Sequence, residues 1–273
     1  ENHEFYHKIG YLIASNTTFT LQKIYELSDG KTKKEFNDIL DNSIKESIRI
    51  SGNYADLSYE KANDYKKLST LLLLFNVISV QKTGTQRFPF NQFKTTQNGK
   101  VLWSLEHIHA QQSEGMQTQE AWKEWIKLHI DSVSTFNNEH LELVQEMQAA
   151  MNKVKLERND FEIIQRKVLE IFSAAGSTEY LHSLANLALL KTDDNAALNN
   201  STFDVKRNKI IEMDREGQYI PFCTKMVFLK YYTPSKDNQL HFWGQADRKA
   251  YIDSINEKLK DYLEQPINLE KGE

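Results

Sequence analysis

The chain has 273 residues, a net charge of −4 and one cysteine, Cys223. That length builds one large domain or two small ones. The single cysteine excludes an intrachain disulfide and leads us to expect a reducing, cytoplasmic setting. The slightly acidic balance excludes a global basic field for nucleic acid while leaving room for a local basic patch.

The chain opens at Glu1 without a methionine, which reads as a fragment or a processed chain, and nothing near the start resembles a secretory leader. Phe5, Ile9, Leu12 and Ile13 share one helical face, and Gly10 permits a close helix contact. Residues 15–18 form a turn with cap-forming side chains, then a short helix carries Leu21, Ile24 and Leu27 and ends at Asp29 and Gly30. Phe36, Leu40, Ile44 and Ile48 recur every four residues, the spacing of an amphipathic helix. Residues 57–80 predict one or two further helices, the last buried all round. Its apolar block, Leu71 to Val80, is too short to span a bilayer.

Past Lys82 the texture changes to loop signals, with Gly84, Pro89 and Asn98-Gly99. Alternation at Val101, Trp103 and Leu105 predicts a strand that runs into Glu106, His107, His109 and Gln111. Three helices are expected between about Gln119 and Ala174. A second strand-like run follows at 184–190, turn formers fill 193–200, and Ser201 caps a helix from Thr202 to Arg215. Residues 221–232 hold several β-favouring side chains, and a last helix covers about 246–263.

Two strands and one helix thus stand inside a helical chain, the strands separated by a helical insertion. Phosphodiester hydrolysis needs a base near neutral pKa, for which histidine is suited, and oxygen donors for a hard cation. It also needs a basic side chain for phosphate. His107 with Glu106, Asn195, and Lys206 with Arg207 supply each of these types.

Glu106-His107-Ile108 with Gln111 resembles the E-H-I-x-P-Q signature of the HNH-type nuclease domain of GmrSD-type restriction enzymes. Asn186-Leu187, Leu189-Leu190, Asn195, Phe203 and Lys206-Arg207 are similar to that family's N-L-x-L-L...N...F-x-x-K-R pattern. Phe5 to Tyr11, Arg87 to Phe90, and Trp243 with Asp247 and Tyr251 also look like the family, so the resemblance covers most of the chain.

The resemblance implies an α+β, mainly helical fold. Residues 1–82 would be a helical bundle joining a missing N-terminal nucleotide-hydrolysing domain. Residues 83–273 would be a ββα-metal core with a helical insertion at about 117–175. It implies a metal-dependent DNA endonuclease acting in restriction of modified phage DNA. In that enzyme His107 is general base, Asn186 orients it, Glu106 and Asn195 hold Mg²⁺ or Mn²⁺, and Lys206 and Arg207 contact phosphate. No membrane partner is expected, and homo-oligomerisation is left open.

Ala110 stands where the family has proline, so the local backbone is not fixed by a ring. His109 either joins the site or packs. Glu106 and His107 address one metal only if the strand ends or bends there, because successive strand residues point to opposite faces. His107 and His109 share a face, which supports a rival zinc hydrolase with a His-x-His site. An inactive DNA- or partner-binding module of the same fold is the other rival. Asn186 is equally suited to tying down backbone groups. His3, His7, His129, His140, His182 and His241 have no partners at telling spacing and read as structural.

Overall fold

Short polar caps and apolar repeats set the N-terminal helices of this computed structural model. It describes residues 2–15, 18–93, 96–97, 100–101, 103–109, 118–134, 140–173, 180–192, 198, 201–234 and 243–269. Helix α1 (Asn2–Ser15) is followed by α2 (Leu21–Ser28), where Thr20 accepts a hydrogen bond from Lys23 N, and by α3 (Lys33–Ser47). At the start of α3, Glu35 N donates to Thr32 Oγ1 and Thr32 N donates to the Glu35 carboxylate, a complete capping box. A Cβ on Gly10 would overlap the Phe90 ring. The close contact expected there is made with that ring, from a short turn at Phe90–Phe93, and not with a helix.

Residues 57–80 yield a single long helix, α4 (Ala62–Gln81), after a 3-10 turn at Tyr54–Asp56. Its second half is buried on every side, as its apolar run requires, because α4 is the central element. Around it lie α1 and two strands, β3 (Trp103–His107) and β4 (Leu187–Lys191), with further helices from the C-terminal third. Before β3 come β1 (Thr96–Gln97) and β2 (Lys100–Val101), an antiparallel pair. β3 and β4 pair antiparallel, Trp103 opposite Lys191 and His107 opposite Leu187.

Between β3 and β4 lies the helical insertion: α5 (Gln119–Ser134), α6 (Leu141–Asn152) and α7 (Arg158–Ser173). These three build their own apolar cluster around Trp125, Ile126, Met147, Phe161 and Val168. The other cluster runs from Tyr11 of α1 through Leu105 of β3 and Leu187 to Leu190 of β4 to Ile255 near the C-terminus. Residues before and after position 82 therefore share one core.

After β4, α8 (Phe203–Arg215) starts one residue later than expected, with Thr202 at the cap position in place of Ser201. Residues 221–232 have β-favouring side chains yet form α9 (Phe222–Phe228), a tertiary override of local preference. Pro221 precedes the helix, where its missing N–H loses nothing. Asn76 of α4 accepts from Cys223 N, and Cys223, Val227 and Phe228 are buried in the core. The last helix is α10 (Gln245–Leu259). The molecule is mainly helical with a small antiparallel component. Among the described residues no helix is long and apolar enough to cross a membrane.

Candidate active site

The strand pair ends at His107, and the chain bends at 108–109. Asn186, which closes a 3-10 turn at Leu184–Asn186 just before β4, fixes that bend. Its Oδ1 accepts from His109 N at 3.0 Å, and its Nδ2 donates to His109 O and to Leu181 O, both at 2.8 Å. Ile108 N donates to Asn186 O at 2.8 Å. A buried amide that satisfies three backbone groups ties down the segment that follows His107. Of the two roles open to Asn186 in the sequence, the structure displays the tie on backbone groups.

β3 stays in register through His107, so the side chains of Glu106 and His107 leave on opposite faces. Glu106 meets α8. Lys206 Nζ donates to Glu106 Oε1 and, at 2.6 Å, to His107 O. Lys206 is 1 % exposed and Glu106 7 %. Burial pushes the Glu106 carboxyl above its ordinary range, and the ammonium opposes that shift. The resemblance gave Glu106 to a cation and Lys206 to phosphate; the structure pairs them with each other. Arg207 is half-buried beside Lys206, and its Nε makes no hydrogen bond.

On the other face, the His107 ring lies 4.5 Å from the Tyr59 ring and 5.2 Å from the His182 ring. His107 Nε2 is 3.3 Å from His182 Nδ1, and His182 Nε2 is 3.7 Å from Glu60 Oε1. Burial, then Lys206 and His182, lower the His107 pKa to about 3. Tyr59, Glu60 and His182 are neighbours that spacing did not reveal. The one available signal was that His182 stands just upstream of Asn186, on the segment the motif already marked.

His109 does not join His107. Its Nδ1 accepts from Phe203 N at 3.4 Å, at the start of α8. His129 of α5, read as structural, caps the same end: its Nδ1 donates to Trp125 O at 2.7 Å and its Nε2 accepts from Thr202 N at 3.3 Å. Burial lowers the His109 pKa to about 4 and that of His129 to about 3. His109 Nε2 and Thr202 Oγ1 are buried and make no hydrogen bond.

Asn195 lies outside the described residues. Among the described residues, no group of three or more His, Cys, Asp or Glu side chains is placed to hold a metal ion. Two oxygen donors, the Glu106 carboxylate and the His107 carbonyl, do converge on one cationic group, the Lys206 ammonium. The chain thus brings together Glu106, His107, Asn186 and Lys206 from β3, the turn before β4, and α8. It places the His109 and Arg207 side chains elsewhere around the same helix start. Comparison with protein families, with curated proteins and with solved structures finds no match.

Proposed function

We propose that this chain is the nuclease module of a modification-dependent restriction enzyme, with a ββα-metal core built from β3, β4 and α8. The observation that carries this reading is convergence. A histidine at the end of β3, an amide at the approach to β4 and a lysine of α8 meet within hydrogen-bonding reach of one backbone segment. The sequence resemblance assigned chemistry to these same three positions.

The donors fit a hard divalent cation in kind, since a carboxylate oxygen and a carbonyl oxygen already surround a positive charge. By the resemblance Glu106 and Asn195 would hold Mg²⁺ or Mn²⁺, which would supply positive charge to the phosphoryl and departing oxygens once Lys206 gives up Glu106 and the His107 ring, on the opposite face of β3, turns to the same side. The chain's own residues do the rest. Asn186 holds the bend that presents His107. His107 is neutral at physiological pH and so offers a lone pair to an attacking water. The negative charge of a phosphodiester beside it offsets Lys206 and raises the imidazole's proton affinity toward that of a useful base. Arg207, next to Lys206 on α8, is the remaining candidate for phosphate contact. By the same resemblance the substrate is modified phage DNA, and residues 1–82 join a nucleotide-hydrolysing domain.

A second reading has an observation of its own. With Lys206 bound to Glu106, the site is already neutralised, as in a module that binds DNA or a partner without cutting. Plasmid nicking in Mg²⁺ or Mn²⁺ separates the two. The nuclease reading expects nicking by the native chain and a loss of about 10²-fold or more in His107→Ala. An intact plasmid throughout favours the binding module, and equal nicking by both removes His107 as the base.

A further inference from the structure

The neighbours of His107 define which of its nitrogens is the base. Glu60 Oε1 lies 3.7 Å from His182 Nε2, beyond hydrogen-bond length, and its negative charge favours the His182 proton on that nitrogen. His182 Nδ1 is then an acceptor. In that tautomer of His182, the 3.3 Å contact between the two imidazoles is donated by His107 Nε2–H. His107 Nδ1 is then left with its lone pair.

The row is held in place by its surroundings. Tyr59 N donates to His182 O at 2.9 Å, and Ser183 Oγ donates to Tyr180 O at 2.9 Å, fixing the backbone on both sides of His182. The Tyr59 ring lies against the His107 ring and 6.4 Å from that of His182. Glu60 and His182 stand at the solvent side, with side chains 68 % and 37 % exposed, while His107 lies deeper.

We infer that His182, backed by Glu60, is a positioning residue that fixes His107 as its Nε2–H tautomer and leaves Nδ1 to take the proton of the attacking water. This rests on the nuclease reading for its catalytic meaning. In the step concerned, a water O–H proton passes to His107 Nδ1 as the water oxygen bonds to phosphorus. The P–O3′ bond breaks, and the departing oxygen takes a proton from bulk water. The arrangement repeats the logic by which an oriented histidine presents one nitrogen for catalysis while the other is held by a neighbour.

The test reads the tautomer directly. In the full chain labelled with ¹⁵N-histidine, long-range ¹H–¹⁵N correlation at neutral pH and without DNA is expected to show His107 with Nε2 protonated and Nδ1 bare. Peaks are assigned from His107→Gln and His182→Gln. His182→Ala should turn His107 into a tautomer mixture. His182→Asn, whose side-chain oxygen can accept in place of Nδ1, should restore the single form, and Glu60→Gln should weaken the preference. In plasmid nicking, His182→Ala is expected to lower kcat about tenfold with KM unchanged, and His182→Asn to recover most of it. An Nδ1–H form in the native chain, or a His107 tautomer indifferent to His182→Ala, overturns the inference even if the chain nicks DNA. The expected tautomers in a chain that never nicks overturn the nuclease reading and leave only the positioning of His107 by His182 standing.

Discussion

Lys206 and Arg207 are adjacent on α8, and one residue of helix separates a side chain sealed in the interior from one at its margin. The partner of Lys206 is 100 residues away in the chain. Removing one member of a buried ion pair leaves the other charge without compensation. Lys206→Met is therefore expected to destabilise the fold by about 3–5 kcal/mol, read as a lower midpoint in urea unfolding. If Glu106 also accepts a divalent cation, Mn²⁺ should return part of that loss in Lys206→Met. A variant equally unstable with and without Mn²⁺ would remove Glu106 from the list of cation ligands. At this scale the sequence singled out residues by type and order and hid whom they touch. His107, Asn186 and Lys206 are legible because a motif fixes their types and order. The pairing of Lys206 with Glu106, and the place of His182 beside His107, depend on how β3 and the turn before β4 meet in space. No local pattern encodes that meeting.

The start of α8 is an unusual helix terminus. Helices ordinarily satisfy their first N–H groups with a Ser, Thr, Asn or Asp oxygen. Here Thr202 occupies the cap position, its hydroxyl makes no hydrogen bond, and two imidazole nitrogens take the backbone protons of Thr202 and Phe203. Such caps work only when unprotonated. Both histidines have folded pKa values below the ordinary 6.5, about 4 for His109 and about 3 for His129. The unfolded chain therefore binds protons that the folded chain refuses. Their contribution is complete above pH 6.5 and is lost as pH falls through that value toward the folded pKa. His129→Gln should flatten the pH dependence of unfolding free energy by about 1.4 kcal/mol per pH unit between about pH 5.5 and 4.5. An unchanged slope would show that His129 already titrates normally in the folded state. The helices themselves were mostly legible, since α1, α3, α4 and α5 to α7 follow their apolar repeats. The exception, α9, has β-favouring side chains but is short, and its fate is set by Asn76 and the pocket it fills.

The small sheet of β3 and β4 is finished by side chains from distant helices. Tyr65 accepts from Leu105 N on the β3 side, while Thr224 donates to Leu189 O and Tyr251 to Leu187 O on the β4 side. Two exposed strand edges are thereby turned into interior surface. The same core takes in α1 to α4 and α8 to α10, and a second buried ion pair, Lys230 with Asp247, fastens the start of α10. Whole-molecule organisation was visible in the sequence as an insertion between two strands. That residues before position 82 share their core with the site was not, because apolar repeats say which face is buried and not against what. The insertion's contacts are local and those of the site are not, so the two should form at different times. In pulsed hydrogen-exchange refolding, amides of α5 to α7 are expected to gain protection before those of Leu105 and Leu189. Simultaneous protection would mean that the insertion has no independent folding step.

The separation of β3 from β4 by α5 to α7 also matters while the chain is being made. β3 leaves the ribosome with its mate still untranslated, and three whole helices must emerge before the missing half arrives. During that interval the growing polypeptide carries a histidine with no companion imidazole and a carboxylate with no ammonium to hold it. The ion pair and the imidazole pair form only once β4 and α8 have been synthesised.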